Sequence, residues 1–160
     1  MRLDTLLGHI FSEWAIFVHM VLGGAVTLLA LVQLAGPRPW PALHRLSGRC
    51  LAILAVITAI GGLAYIGLRG TAGGAWMSAA FALYGALMLL AAVQAPRFAL
   101  AGNMDRHRRW GLRLIVLALG SWIYRVHYGV HYALTCNVPA WRCGAGTAED
   151  FSGLFDRITL

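Results

Sequence analysis

Three histidines in this 160-residue chain are each followed four residues later by glycine: His19 and Gly23, His44 and Gly48, His107 and Gly111. A neutral imidazole offers a ring nitrogen to a metal such as haem iron. On a helix the side chain at i+4 leans back over residue i. Glycine there leaves room beside the ring, either for a flat cofactor or for a neighbouring helix packed close. Six His and 19 Gly in 160 residues give 6 × 19/160, or about 0.7, such pairs by chance.

The elements that must position these histidines are helices in a membrane. The chain is 59% hydrophobic and 12% charged, with a mean hydropathy of +0.69. A soluble domain carries about 25% charged residues. Four apolar stretches, about 14–34, 50–68, 75–95 and 110–134, each approach the roughly 20 residues that cross a bilayer as a helix. Hydrocarbon forces the backbone to satisfy its own hydrogen bonds, and no strand-period alternation competes. The expectation is a single all-α membrane domain over 1–160, a four-helix transmembrane bundle with a tail from 135 to 160.

Arginine sets the expected topology. All 13 basic residues are Arg, against six acidic residues, and the net charge is +7. Arg38, Arg45 and Arg49 lie between the first two stretches. Arg97, Arg106, Arg108 and Arg109 lie between the third and fourth, with Arg113 just inside. By the positive-inside rule both segments are cytoplasmic, so both termini lie outside a multi-pass protein of the bacterial inner membrane. The basic residues flank spans and no nucleic-acid-binding motif occurs, which excludes nucleic acid as the expected partner. The first stretch is too long for a signal peptide, and it lacks a basic n-region and a cleavage site.

At about 100° per residue, His19, Gly23, Ala30 and Gln33 share one stripe of the first helix. His44, Gly48, Ala55, Thr58 and Gly62 share one on the second. His107, Gly111, Ala118, Ser121, Arg125 and Gly129 share one on the fourth. Small and polar residues face neighbouring helices rather than lipid, so these stripes are expected to point inward. His44 and His107 both open helices from the cytoplasmic side and so share a depth. His19 lies roughly 7 Å in from the other surface, where Arg125, His127 and His131 also fall. His127 is turned about 200° from His107. A buried Arg125 needs an anionic partner; the other reading is that it reaches the outer headgroups. The Trp and Tyr residues at the stretch ends read as interfacial belts. Cys136 and Cys143 would close a small disulfide loop in an oxidising compartment, or remain thiols or metal ligands.

The segments His44-Arg-Leu-Ser-Gly-Arg49 and His107-Arg-Arg-Trp-Gly-Leu-Arg113 resemble the HRxxGR and HRRWxxR-type motifs of a bacterial family of small membrane proteins with a domain-of-unknown-function label. The resemblance runs from about His19 to Phe155. It includes the histidine of the first span, an arginine late in the fourth (Arg125), and the acidic-Phe-x-Gly segment Asp150-Phe151-Ser152-Gly153. Gly111 stands where that family usually has Met, so the third His–Gly pair is not a family feature. Relatives often continue into a further hydrophobic helix, which this chain is expected to lack. Histidines at both faces of a small bundle are also similar, more remotely, to the di-haem b-type cytochromes.

Three functions follow as expectations. The first is a haem b electron-transfer protein with bis-histidine ligation. His44 and His107 would hold an inner haem, with Arg45, Arg49, Arg108 and Arg113 near its propionates. His19, with His127 or His131, would hold an outer haem near Arg125. The second is an accessory subunit, or a binder of lipid or quinone headgroups, in which the His-Arg motifs anchor helix ends to phosphates. The third is a Zn or Cu site built from the same histidines, for which His127 and His131 share a face. A redox partner, a homo-oligomer or a larger membrane complex is compatible with each. No hydrolase arrangement occurs: paired carboxylates, a Ser elbow and a P-loop pattern are all missing.

Overall fold

A computed structural model describes residues 3–34, 36, 40–71 and 74–136. They form α1 (Leu3–Leu34), α2 (Pro41–Arg69), α3 (Gly74–Leu100) and α4 (Met104–Cys136). Among the described residues there is no strand. The helices run past the apolar stretches because the polar flanks are helical too. Trp40 precedes α2 without a side-chain cap, and Pro41 supplies a fixed φ where a missing N–H costs nothing. Asn103 caps α4 through its Oδ1, which accepts the Arg106 N–H at 3.1 Å. Gly70 closes α2 at φ 71°, donating its N–H to the Ile66 carbonyl.

Three segments are long and apolar enough to cross a membrane: Phe17–Leu34 of α1, Pro41–Arg69 and Gly74–Leu100. The fourth helix differs in composition, with five arginines and Asp105 among its 33 residues.

The helices pack in a ring. α1 lies against α2 and α4, and α3 lies against the same two. α2 and α4 therefore stand diagonally opposite. The core is built from small side chains: half of its ten residues are alanine (Ala30, Ala55, Ala91, Ala92 and Ala118), beside Val26, Leu51, Met88, Leu114 and Ile115. In lipid the hydrophobic effect does not drive helices together, so close van der Waals approach through small residues must. The outer surface is apolar instead, with Leu28, Ile53, Leu83 and Val116 each at least 60% exposed. Tyr84 pins α3 to α4 by donating its hydroxyl to the Leu117 carbonyl. Phe81 and Tyr124 stack edge to face across the same pair of helices.

Candidate functional site

The described members of the expected inward stripes are buried or half-buried, while Arg125 and Gly129 fall outside the described side chains. Ala30, Ala55 and Ala118 are 1% exposed or less, Gly23 and Thr58 are buried, and His19, His44 and His107 are half-buried. Gln33 near the end of α1 touches the start of α2, and Ala95 near the end of α3 touches the start of α4. The antiparallel connections thus bring His44 and His107 to one end of the ring, on its two diagonal helices.

The two rings are held differently. His107 Nδ1 lies 2.8 Å from the Ala95 carbonyl oxygen. A carbonyl only accepts, so Nδ1 carries the proton and the neutral ring keeps its lone pair on Nε2. Such a carbonyl contact is the usual way a metal-binding histidine is oriented. Among the described residues, His44 Nδ1 is buried and has no hydrogen-bond partner. A buried polar nitrogen left so costs on the order of 1–3 kcal/mol, which a ligand at that nitrogen would offset.

The glycines do something other than the sequence pattern suggests. A Cβ at Gly48 would meet the Gln33 side chain, with Nε2 and Oε1 both at 3.4 Å. The space beside His44 is therefore a berth for Gln33. From that berth the Gln33 amide donates to the His44 carbonyl at 2.9 Å and to Ser47 Oγ at 2.6 Å. Ser47 in turn donates to the Leu43 carbonyl at 2.6 Å. Gln33 thereby fixes the first turns of α2 and the backbone from which His44 projects. Similarly, the glycine that makes room for His19 is Gly62 of α2, whose Cβ would lie 3.1 Å from His19 Cε1. Gly23 is buried, and its carbonyl accepts the Thr27 hydroxyl at 2.9 Å. A Cβ at Gly111 would meet nothing within 4 Å, so beside His107 the glycine does leave open space.

Arg45, Arg49, Arg108 and Arg113 are all exposed at the histidine end. The Arg113 guanidinium lies over the Trp110 ring, 4.5 Å from its centroid. That places it about 120° round α4 from His107, on the outer face. His127 is exposed, whereas His19 packs on α2. The side chains of Arg125 and His131, and the whole of Cys143 with the tail beyond Cys136, fall outside the described residues. Among the described residues, no group of three or more His, Cys, Asp or Glu is placed to hold a metal ion. A four-coordinate Zn site of protein ligands is thus not assembled there.

Gln33 and the Ala95 carbonyl are the parts of the site that sequence reasoning assigned no role. For Gln33 a signal exists, since it is a lone amide near the end of an apolar helix and on the His19 stripe. For a backbone carbonyl none does.

The family model described as "Predicted membrane protein (DUF2306)" matches residues 16–144. The chain belongs to this family. The match spans the described part of the ring from Ile16 onward, with both histidine motifs inside it. No curated protein and no solved structure matches the chain. The DUF2306 description carries the membrane assignment, in agreement with the three apolar helices. It gives no activity, so the chemistry has to be argued from the histidine pair.

Proposed function

We propose that this DUF2306 protein is a small b-type haem electron-transfer protein of the bacterial inner membrane, with His44 and His107 as the axial ligands. The observation that carries the reading is the unlike pair of rings at one end of the ring of helices. His107 is set by the Ala95 carbonyl to present Nε2. His44 keeps a buried ring nitrogen that has no hydrogen-bond partner among the described residues. Two imidazoles on different helices at one end of the ring are the donor set that suits haem iron. Gly111 leaves space next to one of them. The donor set fits; the Gly48 side of His44 is closed by Gln33, so a macrocycle would have to lie on the other side.

Bound between these residues, haem b would supply reversible one-electron chemistry. The chain's own contribution is then threefold. Gln33 and Ala95 hold the two ligand-bearing turns. The small-residue core beneath them closes the ring against water. Exposed Arg45, Arg49 and Arg108 surround the site with positive charge suited to carboxylates. Arg113, turned outward onto Trp110, has no part in this site. Neither do His19 and His127, one packed on α2 and the other exposed.

An absorption spectrum of detergent-purified protein, first oxidised and then reduced with dithionite, tests the reading. A Soret band with the sharp reduced α-band of six-coordinate bis-histidine haem is expected. Protein expressed in haem-replete cells that shows neither band, and yields no haem on extraction, would overturn it.

The same proposal includes four membrane spans with both termini outside. The 33 residues of α4 make a helix of roughly 50 Å, ample for a bilayer despite its arginines. The histidine end, carrying the arginines of α2 and α4, then faces the cytoplasm. Reporter fusions check this: alkaline phosphatase should be active when fused after Leu134 and inactive when fused after Asn103. The reverse pattern would invert the topology.

A further inference from the structure

The arginines of α4 that the haem site leaves out form an array of their own. Arg106, Arg109 and Arg113 fall within about 60° of one another on the helix. They climb roughly 10 Å along its axis, about the depth of a headgroup layer and the top of the acyl layer. All three are exposed. Two are braced by aromatic rings: Arg113 on Trp110 at 4.5 Å, and Arg106 on Phe98 of α3 at 5.4 Å. Trp110 is packed against the buried core, so its ring is a firm support.

The array has one carboxylate near it, Asp105, four residues before Arg109, and no ion pair joins Asp105 to these arginines among the described residues. α2 and α3 contain no acidic residue, and the one in α4 is Asp105 in the first turn. Arg113 stands among exposed apolar side chains, with Leu112 48% and Val116 68% exposed. A guanidinium at such a depth needs an anion. Below Arg109, at i+7 and i+14, Val116 and Ile123 continue the same line and are 68% and 60% exposed. The surface is thus cationic above and apolar below along one helix face, the pattern of an amphiphile with a phosphate at its head.

We propose that this face of α4 binds an anionic phospholipid, its phosphate between Arg109 and Arg113 and an acyl chain along Val116 and Ile123. Arg106 adds charge at the headgroup level. A compact anion meets only half of the surface, and a zwitterionic lipid brings a cationic group to the arginines. The inference does not depend on haem binding.

Native mass spectrometry of the full chain released from detergent provides the test. Phosphatidylglycerol, phosphatidylcholine and inorganic phosphate are titrated separately. Retained phosphatidylglycerol adducts are expected at about one-tenth the lipid concentration needed for phosphatidylcholine. Inorganic phosphate should not compete. The double variant Arg109→Gln/Arg113→Gln should lose that preference, while Arg109→Lys/Arg113→Lys, which keeps the charge, should retain most of it. Circular dichroism confirms that both variants are folded. Equal retention of the two lipids, an unchanged preference in the Gln variant, or displacement by inorganic phosphate would each overturn the proposal.

Discussion

His107→Ala should remove the b-type spectrum from the purified protein while leaving its helical content intact. His107 has two attachments to the proposed site: its Nε2 lone pair and, through Nδ1, the Ala95 carbonyl 2.8 Å away. Alanine deletes both. Outer-shell partners of metal ligands are typically worth 10–100-fold in affinity, and a ligand itself is worth more. Haem retained through detergent purification should fall by about 100-fold or more. His44→Ala should do the same, because bis-histidine haem needs both rings. The variants differ in what they do to the protein. His107→Ala leaves the Ala95 carbonyl without the imidazole, whereas His44→Ala removes a buried nitrogen that lacks a partner among the described residues. The apo form of His44→Ala is therefore expected to unfold at the same temperature as the apo wild type, or higher. His127→Ala separates one site from two. With a single inner site the haem-to-protein ratio is unchanged, and a ratio cut by half would establish an outer haem. Haem content by the pyridine haemochrome method reads all three variants. Full haem retention in His107→Ala would remove His107 from the site.

How far the sequence reaches is visible in these same residues. The helices were legible because hydrocarbon permits no other backbone for such apolar runs. Hydropathy alone stops short of their ends, since Ala42 to Arg49 and Met104 to Arg109 are helical although polar; the histidine–glycine stripes carry the helices back over His44 and His107. That His44 and His107 belong to one end follows from alternating helix direction alone, which arginine counts supply. That the inward stripes carry Ala30, Ala55 and Ala118 follows from 100° periodicity. The cross-helix detail does not. Pairing Gln33 with Gly48, or His19 with Gly62, requires the axial offset and rotation between α1 and α2. A single helix wheel contains neither. The i+4 glycines therefore differ in what they accommodate. Gly48 serves a side chain from the preceding helix, while Gly111 faces open space.

The second large effect is expected far from any ligand, at Ala55. It is 0% exposed, at the middle of α2, and belongs to the cluster with Ala30 of α1, Ala91 and Ala92 of α3 and Ala118 of α4. Each of the four helices contributes at least one alanine to this cluster, and Ala55 itself is fully buried, so the space for added atoms is small. Ala55→Leu inserts three carbon atoms into a fully buried site of that cluster. Overpacking of a close-packed core costs about 1–3 kcal/mol, and this site belongs at the upper end. The loss is not recovered from burial, since lipid offers a leucine the same apolar surroundings as the core does. Ala64→Leu is the matched control. It is the same chemical change on the same helix, about 180° round from Ala55 and exposed. It should shift stability by no more than about 0.5 kcal/mol. Unfolding in mixed micelles of increasing denaturing detergent, followed by circular dichroism, compares the two. If Ala55→Leu matched the control, the four helices would not meet through their small residues, and the ring that brings His44 opposite His107 would have to be abandoned with it. A clear loss in Ala55→Leu alone ties the histidine pair to the packing beneath it, because a ring forced apart at Ala55 also changes the separation of its diagonal helices. The same variant should then lose haem without losing either ligand, which a mutation acting only on local stability would not do.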